Sequence, residues 1–251
     1  MLDNFFNKSI IIDVLERPNK NSKVSSQIIY GEKFKVLSEK KNFYKVKNIY
    51  DNYIGFISKK INLNKKFKPT HKIKTLKSQI YFGTDKKKKI LSNQFLPFGS
   101  NLEIIKKNKN FIMFEKYRWI KLNDACLISN KEKDFVKIFK LFINCPYKWG
   151  GKTFVGIDCS ALVQIFYKYN NIFFPRDTVD QINQKKGFKY KKKFKKGDII
   201  FWKGHIAVCV NSKYLIHAYG PSKKVVVMPI QKTIKRIERT AKLKVKKVFK
   251  I

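Results

Sequence analysis

Residues 8–64 alternate short apolar runs with polar breaks. SQIIY, EKFKVLSEK, FYKVKN and YIGFIS are rich in β-branched and aromatic residues, the signature of strands. Pro69 and the polar stretch around it read as a linker. Residues 70–129 then repeat the style in THKIKTL, QIYFG, SNLEIIKK, NFIMFEK and YRWIKLND. Each half carries an aromatic residue followed by glycine at a mid-segment strand start, Tyr30-Gly31 in one and Phe98-Gly99 in the other. Each also has a lysine-rich hairpin and a closing aromatic strand. The shared rhythm predicts two small all-β barrels, residues 1–66 and 67–130, related as a degenerate repeat.

From residue 131 the period changes. Phe135, Ile138, Phe139 and Phe142 fall on one helical face within residues 132–144, and Pro146 closes that helix. Residues 160–169 predict a second helix and residues 178–185 a short third. The runs DIIFW, HIAVCV, YLIHAY, KVVVMPI and LKVKKVFKI follow as strands. Helices first and an antiparallel sheet after them define an α+β domain over residues 131–251.

Composition adjusts this picture in two ways. At 251 residues and 43% hydrophobic content the chain fills folded cores and is not a disordered polymer. The formal charge of +40 points, taken alone, to a polyanionic partner. The chain is also crowded with Lys, Asn, Ile, Phe and Tyr, which A/T-rich codons encode, and base composition accounts for the same bias. No zinc-finger spacing or RNP-like motif is present, and the basic residues are spread along the chain. The expectation is no specific nucleic-acid partner, only salt-sensitive adventitious binding.

The four cysteines, Cys126, Cys145, Cys159 and Cys209, form no CxxC pair and do not read as a disulfide framework. The N-terminus lacks an adequate apolar core and cleavage site for a secretory signal, and no run approaches the roughly 20 apolar residues of a membrane span. A soluble, cytoplasmic protein with reduced thiols is expected.

Candidate chemistry gathers in the last third. Cys159 sits at the start of an apolar helix after a loop bearing Gly150, Gly151 and Gly156, whose backbone is able to approach a ligand closely. The helix dipole is expected to lower its pKa toward the thiolate. His205 and His217 lie on HIAVCV and YLIHAY, separated by Asn211, Ser212 and Lys213. With that three-residue turn His217 faces Ala207, and both imidazoles point to one side; a one-residue slip separates them. His205 is then the candidate base and His217 its orienter, with the backbone N–H of Cys159 available to an oxyanion. Cys126, Cys145 and Cys209 read as small buried hydrophobes, and Trp149 and Trp202 as packing residues. Asp158 has two readings, a helix cap or an anion for a substrate ammonium. Arg176 is expected to pair with Asp177 or Asp180.

YKWGGKTFVGIDCSALV resembles the nucleophile motif of the NlpC/p60 family of cysteine peptidases, which act on bacterial cell-wall peptides. FFPRDTVDQ, KKGDIIFWKGHIAVCV and LIHAYG are similar to the family's following blocks, and the resemblance spans residues 133–230. One departure is Ala161, where the family usually has Gly. The resemblance implies a papain-like catalytic domain with Cys159, His205 and His217 as its triad, preceded by two bacterial SH3-like barrels. It further implies kinship with γ-D-glutamyl-L-diamino acid endopeptidases, which need a free N-terminal L-Ala. Asp158 would hold that ammonium, Ser160, Tyr147 and Thr178 would line the site, and Glu32 and Tyr53 would close the amine pocket. Peptidoglycan-derived peptides are the implied partners, in muropeptide recycling inside the cell or, alternatively, in exported hydrolysis of intact wall with the SH3-like domains as wall binders. No metal or organic cofactor is implied, and the oligomeric state is not indicated.

Overall fold

The computed structural model describes residues 3–84, 89–184, 187 and 193–251. It divides into two compact units, Met1–Lys131 and Glu132–Ile251.

Among its described residues the first unit is all β apart from one 3-10 turn. Its strands are β1 (Asn4–Phe6), β2 (Ile11–Leu15), β3 (Val24–Ile29), β4 (Lys33–Lys40), β5 (Phe43–Asn48) and β6 (Ile54–Ser58). They continue with β7 (His71–Ile73), β8 (Lys77–Phe82), β9 (Ile90–Pro97), β10 (Asn101–Leu102), β11 (Lys106–Lys107), β12 (Phe111–Glu115), β13 (Arg118–Lys121) and β14 (Ala125–Leu127). The first six form one sheet in the order β1-β4-β5-β6-β2-β3. The next set gives β10-β7-β14 and β11-β12-β13-β8-β9; apart from β14, which pairs with β7, this is the same order with the long strand β4 replaced by β10 and β11.

The repeat extends to single hydrogen bonds. Gly31 N–H donates to Asn7 C=O, Asn7 N–H to Glu32 C=O, and Tyr30 N–H to Ile10 C=O. In the second half Gly99 donates to Ile73, Ile73 to Ser100, and Phe98 to Leu76. Both glycines stand at positive φ, +76° and +75°, which explains the aromatic-glycine pair seen at both places. The linker reading does not hold. Phe67 is buried, its ring 5.3 Å from Phe6 and 6.2 Å from Tyr30. Tyr30 joins the apolar cluster of the second half and donates to Glu115 at 2.8 Å, so the segment is part of the core that ties the halves together. Residue 85 to residue 88 of the lysine-rich hairpin lie outside the described residues.

The second unit contains α1 (Phe135–Leu141), β15 (Lys152–Thr153), β16 (Gly156–Ile157), α2 (Cys159–Tyr169), α3 (Thr178–Gln181), β17 (Asp198–Trp202), β18 (His205–Cys209), β19 (Tyr214–Tyr219), β20 (Lys224–Pro229), α4 (Ile230–Ala241) and β21 (Lys247–Lys250). The sheet order β20-β19-β18-β17-β21 is antiparallel throughout. Helix α2 packs on β18 and β19, and α1 on α2. On the other side Ala207, Cys209 and Leu215 cluster with Ile230, Ile234 and Ile237 of α4. Both faces are covered, so β17 and β18 are nearly continuous apolar runs.

Three local expectations change. Helix α1 ends at Leu141, capped through Phe142, before Pro146 is reached. Helix α3 is confined to Thr178–Gln181, and Lys185 lies outside the described residues. Helix α4 was not anticipated. Its Ile230, Ile234 and Ile237 follow a helical period, but they are embedded in a lysine-rich run that reads as polar.

Candidate active site

Cys159 opens α2, and its N-cap is Asp158, which accepts the Ala161 N–H at 2.8 Å. The sulfur is buried and accepts the backbone N–H groups of Ile206 and Ser160, which places it at the start of β18. Burial, then the Asp158 carboxylate, pushes the thiol up to about 12, while those N–H groups and the Arg176 guanidinium pull it down. This corrects the expectation of a dipole-stabilised thiolate. Desolvation of a sulfur walled into the core, with the Asp158 carboxylate beside it, favours the neutral thiol.

The histidines meet as the hairpin register requires. Val208 pairs with Ile216 and Cys209 with Leu215, which continues to the Ala207–His217 opposition. His205 Nε2 lies 2.9 Å from His217 Nδ1. Aromatic rings enclose the pair. Trp202, opposite His205 in the β17–β18 ladder, lies 5.5 Å from its ring. Tyr219 stacks on His217 at 4.6 Å and 10°, and the guanidinium of Arg236 on α4 lies 5.7 Å from the Tyr219 ring. His217 Nε2 is 3.4 Å from the Sδ of Met228. Desolvation holds His205 down to about 4, and burial followed by the neighbouring His205 holds His217 well below its usual range. Both are neutral near pH 7. His205 precedes Ile206, whose N–H the sulfur accepts, and a neutral imidazole is able to take a thiol proton as the sulfur attacks a carbonyl.

Asp158 is an anchor already in use. Its Oδ1 accepts Ala161 N–H, Ser160 Oγ–H at 3.0 Å and Arg176 Nη1–H at 3.0 Å. Its Oδ2 accepts Gly150 N–H at 2.9 Å and Arg176 Nη2–H at 2.5 Å. With five donors on one buried carboxylate, the assignment of Asp158 to a substrate ammonium is corrected: it caps α2 and holds Arg176. Arg176 spends both terminal nitrogens here, and this is the pairing that sequence reasoning missed. Ser160 Oγ also accepts Arg176 Nη1–H at 2.7 Å, so its hydroxyl is held within this node. Gln181, fully buried on α3, donates to the carbonyls of Ser160 and Pro175 and ties α3 to the start of α2. The nearby glycines serve the same node. A Cβ on Gly151 would stand 2.3 Å from the Gly156 carbonyl oxygen, so the close approach that needs glycine here is between loop strands.

Tyr147 is half-buried, and its phenol is pushed up by burial, then by Cys159 and Asp158, which places it beside the thiol. Thr178 is half-buried at the start of α3. Glu32 and Tyr53 lie in the first unit. Glu32 is 3% exposed and accepts the Ile29 N–H at 2.6 Å, bracing a turn, and Tyr53 packs on that sheet's core. Trp202 packs as expected, but Trp149 is 62% exposed. Cys145 and Cys209 are buried, whereas Cys126 is only half-buried. Among the described residues no cluster of His, Cys, Asp and Glu has the form of a metal site, and no helix is long and apolar enough to cross a membrane.

Residues 144–241 match the NlpC/P60 family and residues 12–60 match the bacterial SH3 domain. The chain carries an NlpC/P60 domain and a bacterial SH3 domain, and its class is that of the cysteine peptidases. Among its relatives, the Gamma-D-glutamyl-L-lysine dipeptidyl-peptidase of Bacillus subtilis (strain 168) is 24% identical over 233 residues, 84% of this chain and 77% of that protein. Dipeptidyl-peptidase 6 of Lysinibacillus sphaericus is 36% identical over 81 residues, 31% of this chain and 28% of that one. The crystal structure of an NlpC/P60 family protein from Bacillus cereus shares the fold with a TM-score of 0.82 over 98% of both chains, at 18% identity.

Proposed function

We propose that the protein hydrolyses the γ-D-glutamyl–diamino acid bond of peptidoglycan stem peptides with a free N-terminal L-Ala, in muropeptide recycling within the cytoplasm. Cys159 is the nucleophile, His205 the general base and His217 its orienter. The thiol proton passes to His205 as sulfur bonds to the carbonyl carbon. Collapse releases the diamino acid's amine, which takes that proton, and water hydrolyses the thioester that remains. Tyr147 and Thr178 line the site, and Ser160 contributes its backbone N–H to the sulfur. Residues 67–130 form a second SH3-like module, which the common strand order supports.

The observation that carries this reading is the buried thiol on the Ile206 N–H, one residue from a histidine pair 2.9 Å apart. The substrate rests on the relatives, whose names describe release of a dipeptide. The test is a mass-spectrometric digest of defined stem peptides with the L-Ala amine free or acetylated. Cleavage of the free peptide alone is expected. Equal rates on both would overturn the recycling role, and no cleavage of either would overturn the substrate.

A second reading, hydrolysis of intact wall outside the cell, is favoured by the bacterial SH3 match and the +40 charge, which suits anionic wall polymers. It predicts solubilisation of purified cell walls at a rate that falls when residues 12–60 are replaced.

A further inference from the structure

The histidine pair ends on a sulfur, and a thioether is able only to accept. Met228 has no proton to give. The 3.4 Å contact between its Sδ and His217 Nε2 is therefore a hydrogen bond only with the proton on Nε2. In a neutral imidazole that leaves His217 Nδ1 as acceptor. His205 Nε2, 2.9 Å away, must then be the donor. Nδ1 of His205 is then the ring nitrogen of the pair that carries no proton and accepts none from the other ring.

We propose that Met228 is a positioning residue that sets the tautomer of both histidines, so that Nδ1 of His205 is the nitrogen free to take the Cys159 proton. The inference rests on the peptidase reading for its catalytic meaning. The register supplies the contact: His217 pairs with Val226 and Leu215 with Met228, which puts Met228 diagonally across from His217 on the same face of the sheet. The Tyr219 ring stacked on His217 holds the imidazole plane in which both bonds lie. Burial keeps both rings neutral, the state in which one acceptor at the end dictates every proton behind it.

The arrangement also survives the reaction. When the thiol S–H bond breaks and its proton moves to His205 Nδ1, the imidazolium still donates from Nε2 to His217 Nδ1, and no partner has to turn. Without an acceptor at His217 Nε2, the opposite pattern becomes accessible. His217 then donates from Nδ1, His205 Nε2 accepts, and the His205 proton sits on Nδ1, where it blocks the base.

The test compares Met228→Leu, which keeps the bulk and removes the acceptor, with Met228→Gln, whose carbonyl oxygen is able to accept. Long-range proton–nitrogen spectra of the imidazoles, recorded on the unliganded full chain, report the tautomers directly. The wild type is expected to hold both histidines protonated on Nε2. Met228→Leu should move His205 toward the Nδ1–H form and lower kcat about tenfold with KM unchanged, a fraction of what a general base contributes. Met228→Gln should keep the wild-type tautomers and most of kcat. Wild-type spectra with a proton on Nδ1 of either ring would overturn the proposal. So would a Met228→Leu protein with unchanged tautomers and unchanged kcat. The spectra need no substrate, so failure of the proposed peptidase activity stays distinguishable from failure of the tautomer assignment.

Discussion

Two polar groups flank Cys159, and they are built on opposite plans. On one side Asp158, Arg176, Ser160 and Gln181 form an ionic node in which one carboxylate receives five hydrogen bonds. On the other side His205, His217 and Met228 form a neutral chain in which each atom named makes a single contact. The first is saturated and so cannot take a substrate or a proton without breaking something. The second leaves one ring nitrogen uncommitted. The difference teaches that spare hydrogen-bonding capacity, and not charge next to the candidate nucleophile, is the better guide to where chemistry is available.

The largest effect that tests this contrast is loss of the sulfur. Cys159→Ala should reduce hydrolysis of the free stem peptide to background while circular dichroism and melting stay near wild type; residual turnover at the wild-type rate would sink the thiol mechanism.

The ionic node should respond in stability. Arg176→Met leaves a buried carboxylate uncompensated, and urea unfolding should show a loss of about 3–5 kcal/mol. A variant as stable as the wild type would mean that Asp158 does not depend on its partner, and would return Asp158 to the pool of substrate anchors.

The neutral chain should respond to pH. His205 is held at about 4, below its ordinary 6.5, so kcat/KM should fall as pH passes down through about 4. The linkage has a definite sign. Below 6.5 the unfolded chain binds a proton that the folded His205 refuses, so its contribution to stability is complete above 6.5 and erodes as pH falls toward 4. An acid limb centred near 6.5 would contradict a desolvated base. The smallest expected change is at Tyr219. Tyr219→Leu removes the ring stacked on His217, worth about 0.5–1.5 kcal/mol, and kcat should drop by less than tenfold. A larger loss would promote Tyr219 to the proton chain itself.

Several of these features were legible before any coordinates. The turn of Asn211, Ser212 and Lys213 between Val210 and Tyr214 set the register that unites the histidines, because strand periodicity leaves one choice once the loop length is known. Tyr30-Gly31 and Phe98-Gly99 revealed the internal repeat, because a turn at positive φ needs glycine in both copies. Helix α4 was hidden, since its three buried isoleucines are spaced among lysines and arginines that carry no periodic signal of their own. Phe67 looked like linker because its neighbours are polar, and only its burial against Phe6 and Tyr30 makes it core.

The sequence by itself determined the domain class and singled out Cys159, His205 and His217 as the candidate site, since these depend on local motif, loop length and strand period. The tertiary structure alone decided the charge states and the partners. Arg176 reaches Asp158 from 18 residues away, Met228 reaches His217 across a strand pair, and burial turns an expected thiolate into a neutral thiol. Desolvation and long-range hydrogen bonding depend on what surrounds a group in space, and that is set only when the chain is packed.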